Sequence, residues 1–347
     1  MNIVTIDPQH DPLWQTLVNK YRTDVFHSPA WIAALNATYD FEIKALVVLD
    51  DDGEPRSGIA YGRIDDMMDP RLTSLPFSDF CDPLVHDQAD WEALISRLLA
   101  KDLRLNIRCL HNDLPLSEER LTFVNRAKWH CIDLQREMDD MWMGLNGAAR
   151  RAIKKAQKQG ITVRVAESKD DLRAFFLLHL KLRKYKYSLL AQPYHFFENI
   201  WDNFIPQGHG ALMLAIYEDQ IIGGVFFLEW QNKLYYKFNA SDQHQLNHRP
   251  NDLIVWTGIQ YGQARGYEYL DFGLSNWDQE GLLQFKRKFA TKEGIISYLQ
   301  YMPEGAPDPK EKQIRSLLPQ LTDLLVHPDV PDEITEKGGD ILYPFFT

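Results

Sequence analysis

Between residues 161 and 301 the apolar pattern and the turn signals dictate one order of elements. Residues 161–165 read as a strand, 170–187 and 194–204 as helices, and 211–217 with 221–229 as a hairpin closed by Glu218-Asp219-Gln220. Residues 234–240 form a third strand. Pro250 opens a helix that stops at Gly266, residues 267–272 are a strand, 279–288 a helix and 295–301 a last strand. Three consecutive antiparallel strands followed by strands separated by helices build a mixed, mostly antiparallel sheet flanked by helices, an α/β (α+β) class.

The first half is less regular. Its first 40 residues read as helical, with Ser28-Pro29 as an N-cap and N1 pair. Residues 43–49 and 57–64 form a hairpin around Asp50-Asp51-Asp52-Gly53, a helix lies near 89–99, and strands lie at 103–110 and 129–134. This hairpin parallels the one at 211–229, which hints at an internal duplication. A length of 347 residues accommodates two domains. The expected division is 1–138, 139–302, and a tail 303–347 with one short helix near 311–325.

Charge narrows the function. There are 38 basic and 49 acidic residues, a net −11, which excludes general coating of DNA. Residues 141–166 run against this average, with six cations and no acid. Within residues 142–159, read as one helix, Leu145, Ala149, Ala152 and Ala156 make an apolar stripe, and Arg151, Lys154, Lys155 and Lys158 fall on the other side. A solvated helix face normally mixes signs, so Arg150, Arg151 and Lys154 are candidate contacts for phosphates. Three cysteines without a CxxC argue against a disulfide framework or a thiolate zinc site. There is no signal-peptide pattern and no run long enough to span a membrane, so a cytoplasmic location is expected.

A second cluster runs from residue 235 to 288. An aromatic strand ends in Asn239-Ala240-Ser241, and Pro250-Asn251-Asp252 opens a helix whose free N–H groups suit an anion. Asp271 ends a strand, and Phe285-Lys286 lies on the helix after it. Gly208-His209-Gly210 lacks the rest of a dinucleotide fingerprint, and Gly273-Leu274-Ser275-Asn276-Trp277 lacks the last glycine of a nucleophile elbow. His244 and His248 lie in a polar loop without a glutamate between them, so no metal site is expected.

Arg150, Ile153-Lys154-Lys155-Ala156, Asn239-Ala240-Ser241-Asp242, Pro250-Asn251, Asp271-Phe272-Gly273 and Gly281-Leu282 with Phe285-Lys286 occur in an order that resembles the FemABX branch of the Gcn5-related N-acetyltransferase (GNAT) superfamily, which includes FemAB-like and CelD/BcsL-type acyltransferases. The resemblance covers about residues 20–301, more loosely in the first half through Phe26-His27-Ser28-Pro29-Ala30-Trp31 and Ser78-Asp79-Phe80-Cys81-Asp82-Pro83. It implies tandem GNAT-like domains that join an activated acyl or aminoacyl group to an amine of a cell-envelope, peptidoglycan-type precursor.

The same resemblance implies Phe285 and Lys286 as catalytic residues, and Asp271, a carboxylate at the end of a strand, is the catalytic candidate to orient an amine or serve as base. Lys286 would stabilise the tetrahedral intermediate. Arg150, Arg151, Lys154, Asp79, Asp82, Asn239, Ser241 and Asn251 would bind substrate. Where the bridge-forming enzymes carry a lysine soon after their N-terminal tryptophan, this chain has Ile32-Ala33-Ala34 after Trp31. No permanent cofactor is expected. The donor is either aminoacyl-tRNA or acyl-CoA, although the usual GNAT coenzyme A loop is absent. A CoA-dependent N-acyltransferase on a small amine and a non-catalytic tandem-GNAT binding protein are the competing readings.

Overall fold

Helix starts obey capping chemistry. Asp11, Ser28, Asp87, Asn146 and Ser168 each accept a backbone N–H from the first turn of the adjoining helix, which satisfies one of its orphan donors. The computed structural model describes residues 2–306 and 308–347.

The chain begins with β1 (Asn2–Ile6), α1 (Pro12–Lys20), α2 (Pro29–Tyr39), β2 (Glu42–Leu49), β3 (Pro55–Ile64) and β4 (Arg71–Thr73). It continues through α3 (Gln88–Leu99), β5 (Arg104–Cys109), β6 (Thr122–Asp133), α4 (Met138–Gly144), α5 (Gly147–Lys158) and β7 (Thr162–Val165). Next come α6 (Lys169–Lys181), α7 (Tyr194–Phe204), β8 (Gly210–Tyr217), β9 (Gln220–Trp230), β10 (Lys233–Ser241) and α8 (Pro250–Ala264). The last elements are β11 (Tyr269–Ser275), α9 (Glu280–Arg287), β12 (Lys292–Tyr301), α10 (Pro309–Leu325) and α11 (Asp332–Leu342).

The same order occurs twice: a strand, two helices, three antiparallel strands, a helix and a parallel strand. The fold is α/β with tandem GNAT-like sheets. The compact units are residues 1–128 with 294–317 and 347, and residues 129–293 with 318–346. This division differs from cuts at 138 and 302. Sheet pairing is the reason for residues 294–301, because Ser297–Tyr301 of β12 pairs antiparallel with Leu105–Cys109 of β5. A buried Arg104–Glu311 ion pair at 2.6 Å fastens the start of α10 in the same unit.

In the first unit the strand order is β1-β2-β3-β4-β5-β12, with β4 and β5 parallel. Trp91, Leu94, Ile95 and Leu98 of α3 pack on Leu46, Val48, Ile59 and Ile107. In the second unit β7, β8, β9 and β10 run antiparallel, β11 joins β10 in parallel, and β6 is β11's other neighbour. Ala149, Ile153 and Ala156 of α5 share a core with Ile254, Val255 and Ile259 of α8. An aromatic cluster of Phe175, Phe196, Phe197 and Phe238 forms beside α6 and α7, with Phe197 and Phe238 centroids 5.0 Å apart. A Cβ on Gly224 would meet Phe175, whereas Gly258 of α8 lies against Phe227. Residues 224 and 227 face opposite sides of β9, so α6 and α8 cover opposite faces of the sheet.

Three expectations need correction. The N-terminus is a strand rather than helical, since Asn2–Ile6 completes an antiparallel ladder with Ala45–Leu49. The helix read at 142–159 is two helices, because Asn146 caps α5 and stops α4. The tail holds two helices where one was expected.

Candidate active site

β10 and β11 pair over only three residues, Lys233–Tyr235 with Tyr269–Asp271, and then part. A register shift between Tyr236 and Phe238 of β10 marks the parting. Beyond it the chain turns at Arg249, which has a left-handed φ of 64°, and Pro250 starts α8. Asn251 Oδ1 accepts from Asn239 Nδ2 at 3.1 Å and from Ser241 Oγ at 2.5 Å. Three residues singled out in the sequence are therefore brought together, and they tie the first turn of α8 to the end of β10.

A cleft of about 550 Å³ opens here, bordered by Tyr187, Tyr236, Asn239, Asn251, Phe285 and Lys288. Lys288 stands 3.1 Å from the buried Asp252 and 5.1 Å from the Phe285 ring centroid. Burial raises the Asp252 carboxyl above its ordinary value even though Lys288 and Arg249 oppose the shift. Asp252 takes part in this ion pair rather than providing a free negative charge.

Lys286 is only 3% exposed. Its Nζ donates to the carbonyls of Gly273 at 3.1 Å and Leu274 at 2.7 Å, at the end of β11 that has left β10. It does not share the exposed face of Arg287, which pairs with Glu293. Asp271 is buried and accepts from Trp129 Nε1 at 2.8 Å and from the Gly273 N–H. Phe285, Asn239 and Asn251 border the cleft, while Lys286, Asp271 and Ser241 do not.

On α5, Arg151 and Lys154 are exposed and Arg150 is half-buried. Among the described residues none of the five α5 cations has a carboxylate partner, whereas Arg164 is paired with Asp171. Asp79 and Asp82 belong to the first unit. Asp82 Oδ1 accepts from the N–H groups of Leu110, His111 and Asn112. Burial, then the charge of Asp24, pushes its carboxyl up to about 7.

Sequence reading missed His130. It is fully buried on β6, with Nε2 3.2 Å from Glu293. Its pKa is lowered by burial and then by the charge of Lys286. No local pattern marks it, since a lone histidine in a strand reads as core.

Among the described residues no group of His, Cys, Asp and Glu is arranged to hold a metal. None of their helices is long and apolar enough to cross a membrane.

Residues 147–287 match the family model of an acetyltransferase (GNAT) domain. The fold is similar to that of FemX, at 15% identity over 92% of this chain and all of that chain, with a TM-score of 0.66. It is also similar to L-PGS from Bacillus licheniformis, at 12% identity over 92% and 97% of the two chains, TM-score 0.56. A tandem GNAT protein from the clavulanic acid biosynthesis pathway aligns at 11% identity over 88% and 100%, TM-score 0.56. No curated protein sequence matches the chain.

Residues 147–287 thus carry the match to a GNAT acetyltransferase domain, and the fold of the chain is similar to that of FemX and of a tandem GNAT protein.

Proposed function

We propose that this protein transfers an activated acyl or aminoacyl group to an amine of a cell-envelope precursor. The observation that carries the reading is the parting of β10 from β11 beside the first turn of α8, with Phe285 on the resulting cleft. A wedge between parallel strands exposes backbone groups that the sheet no longer uses, and the helix terminus adds N–H donors for an anionic donor molecule.

Amine attack on an ester or thioester needs a neutral amine, a path for its proton and stabilisation of the oxyanion. In this reading the ammonium of Lys286, fixed at the strand end, supplies positive charge toward the developing oxyanion. Phe285 walls the pocket, and Asp271 fixes the strand end through Trp129 and Gly273. Asn239 and Asn251 orient the donor, and Ser241 holds Asn251 in place through its hydroxyl. Arg150, Arg151 and Lys154 contact its phosphates, which suits aminoacyl-tRNA. Asp79 and Asp82 are assigned to the amine acceptor. No permanent cofactor takes part, and the reaction is placed in the cytoplasm, where charged tRNA is available.

The match of residues 147–287 to an acetyltransferase domain favours a second reading, in which acyl-CoA is the donor. Thermal shift with an acyl-CoA panel and with charged tRNA separates the two. A ligand at 100 times its Kd adds about 2.7 kcal/mol. Stabilisation by charged tRNA is expected, and a response to acyl-CoA alone overturns the first reading.

A further inference from the structure

The structure assigns Lys184 as a positioning residue for the cleft, acting through a clamp on α11. This rests on reading the cleft as the donor site. α6 does not end at Lys181 but passes into a π-helical turn, Leu182–Lys186. A π turn holds one residue more than an α turn, so it rotates the downstream chain by roughly 100° about the helix axis, and such turns often sit at functional sites. Here it delivers Lys186 and Tyr187 to the cleft. The next residue, Ser188, has a left-handed φ of 52°, so the lip ends in a conformation that needs outside support.

Part of that support is local, since the Leu189 N–H donates to the Arg183 carbonyl at 3.0 Å and Arg183 Nε donates to the Leu190 carbonyl at 2.9 Å. Behind the lip, Ser188, Leu189 and Leu190 border an apolar cavity of about 360 Å³ together with Thr322, Tyr343 and Phe346. Polar bonds to the C-terminal segment hold the π turn that precedes Ser188. Lys184 is 1% exposed, and its Nζ donates to the Val330 carbonyl at 2.5 Å and to Asp332 Oδ1 at 2.9 Å. The exposed Tyr185 hydroxyl donates to the same Asp332 oxygen at 2.8 Å. α11 is itself fastened to α6 by a two-pronged Arg173–Glu336 pair at 2.6 and 2.8 Å. Gly339 comes so close to the Ala191 carbonyl that a side chain there would collide with it. A buried ammonium that loses its carboxylate partner is left uncompensated, and the half-buried Asp332 without Lys184 loses the tie that holds the turn.

The segment 330–339 thus sets the position of Lys186 and Tyr187, and with it ground-state binding of the donor. Lys184→Met and Asp332→Asn are compared with wild type in the full chain, using donor KM, kcat and hydrogen exchange of residues 183–189. The expected result is about a tenfold rise in KM with kcat within twofold, faster exchange at 183–189, unchanged exchange in α8, and partial rescue by Lys184→Arg. A role in overall stability alone would lower the active fraction and kcat while KM stayed constant, and that result overturns the proposal. Tyr185→Phe removes one surface bond without touching the buried ammonium, so it serves if the other variants do not fold. For it, a KM rise of about threefold is expected, and no rise overturns the clamp. If wild type turns over no donor, the acyl-transfer reading fails, while the exchange measurement still decides the clamp. Unchanged protection at 183–189 in Asp332→Asn overturns it.

Discussion

The Lys286 ammonium lies 2.7 Å from the Leu274 carbonyl oxygen, at the point where β11 runs on without β10 as a neighbour. This lysine on α9 donates to both carbonyls at the strand end. Lys286→Met would remove the donor to the buried Gly273 carbonyl, and a buried acceptor left unpaired costs about 1–3 kcal/mol. The variant is expected to lose about 1–3 kcal/mol of stability in urea unfolding and about 100-fold in kcat. Unchanged stability would show that the carbonyls do not depend on this ammonium.

Asp82 sets a pH dependence in the first unit. Its folded carboxyl titrates near 7 against an ordinary 3.8. The folded state therefore binds the extra proton between about pH 4 and pH 7, and stability falls as pH rises through that window. The effect reaches about 4 kcal/mol at most, at 1.36 kcal/mol per unit. Asp82→Asn keeps an acceptor for the Leu110, His111 and Asn112 N–H groups. It should flatten the curve of unfolding free energy between pH 4 and 7. An unaltered slope would assign the dependence to another group.

Among the described residues the α5 cations have no carboxylate partner, which makes them sensitive to sign. Reversing Arg150, Arg151 and Lys154 to glutamate is expected to weaken donor binding at least tenfold in fluorescence titration. The slope of log Kd against log salt should fall by about one for each phosphate that is no longer neutralised. An unchanged affinity would mark a merely solvated face.

Gly258 is the point at which α8 lies on β9. A Cβ there would stand 2.5 Å from Phe227 Cζ, and overpacking costs about 1–3 kcal/mol. Gly258→Ala should lower Tm and raise donor KM, because α8 carries Asn251 to the cleft. A variant with wild-type KM would separate the helix position from the site.

The second repeat was legible because β8 and β9 are continuous apolar runs and its turns are marked, as at Glu218-Asp219 and Gly266. β1 was not, since a five-residue edge strand shows its nature only through its partner β2. α11 was hidden by Gly338-Gly339. These glycines lower helix propensity, yet they are what lets the helix approach Leu325 and Ala191. The grouping of Asn239, Ser241 and Asn251 came from order along the chain. The burial of Lys286 did not, because its neighbours Arg287 and Lys288 suggest a solvated run and only the three-dimensional path of β11 distinguishes them. Lys184 was concealed in the same way among Arg183, Lys186 and Lys181.

The central claim is acyl transfer to an envelope amine, and single-turnover transfer of labelled aminoacyl groups tests it most directly. Pure protein is mixed with charged tRNA and a lysine-containing muropeptide precursor, and the product is read by mass. The expected result is one new amide on the acceptor amine, formed by wild type and reduced about 100-fold in Lys286→Met. No amide from charged tRNA, together with amide formation from acyl-CoA at the same acceptor concentration, would contradict the aminoacyl account.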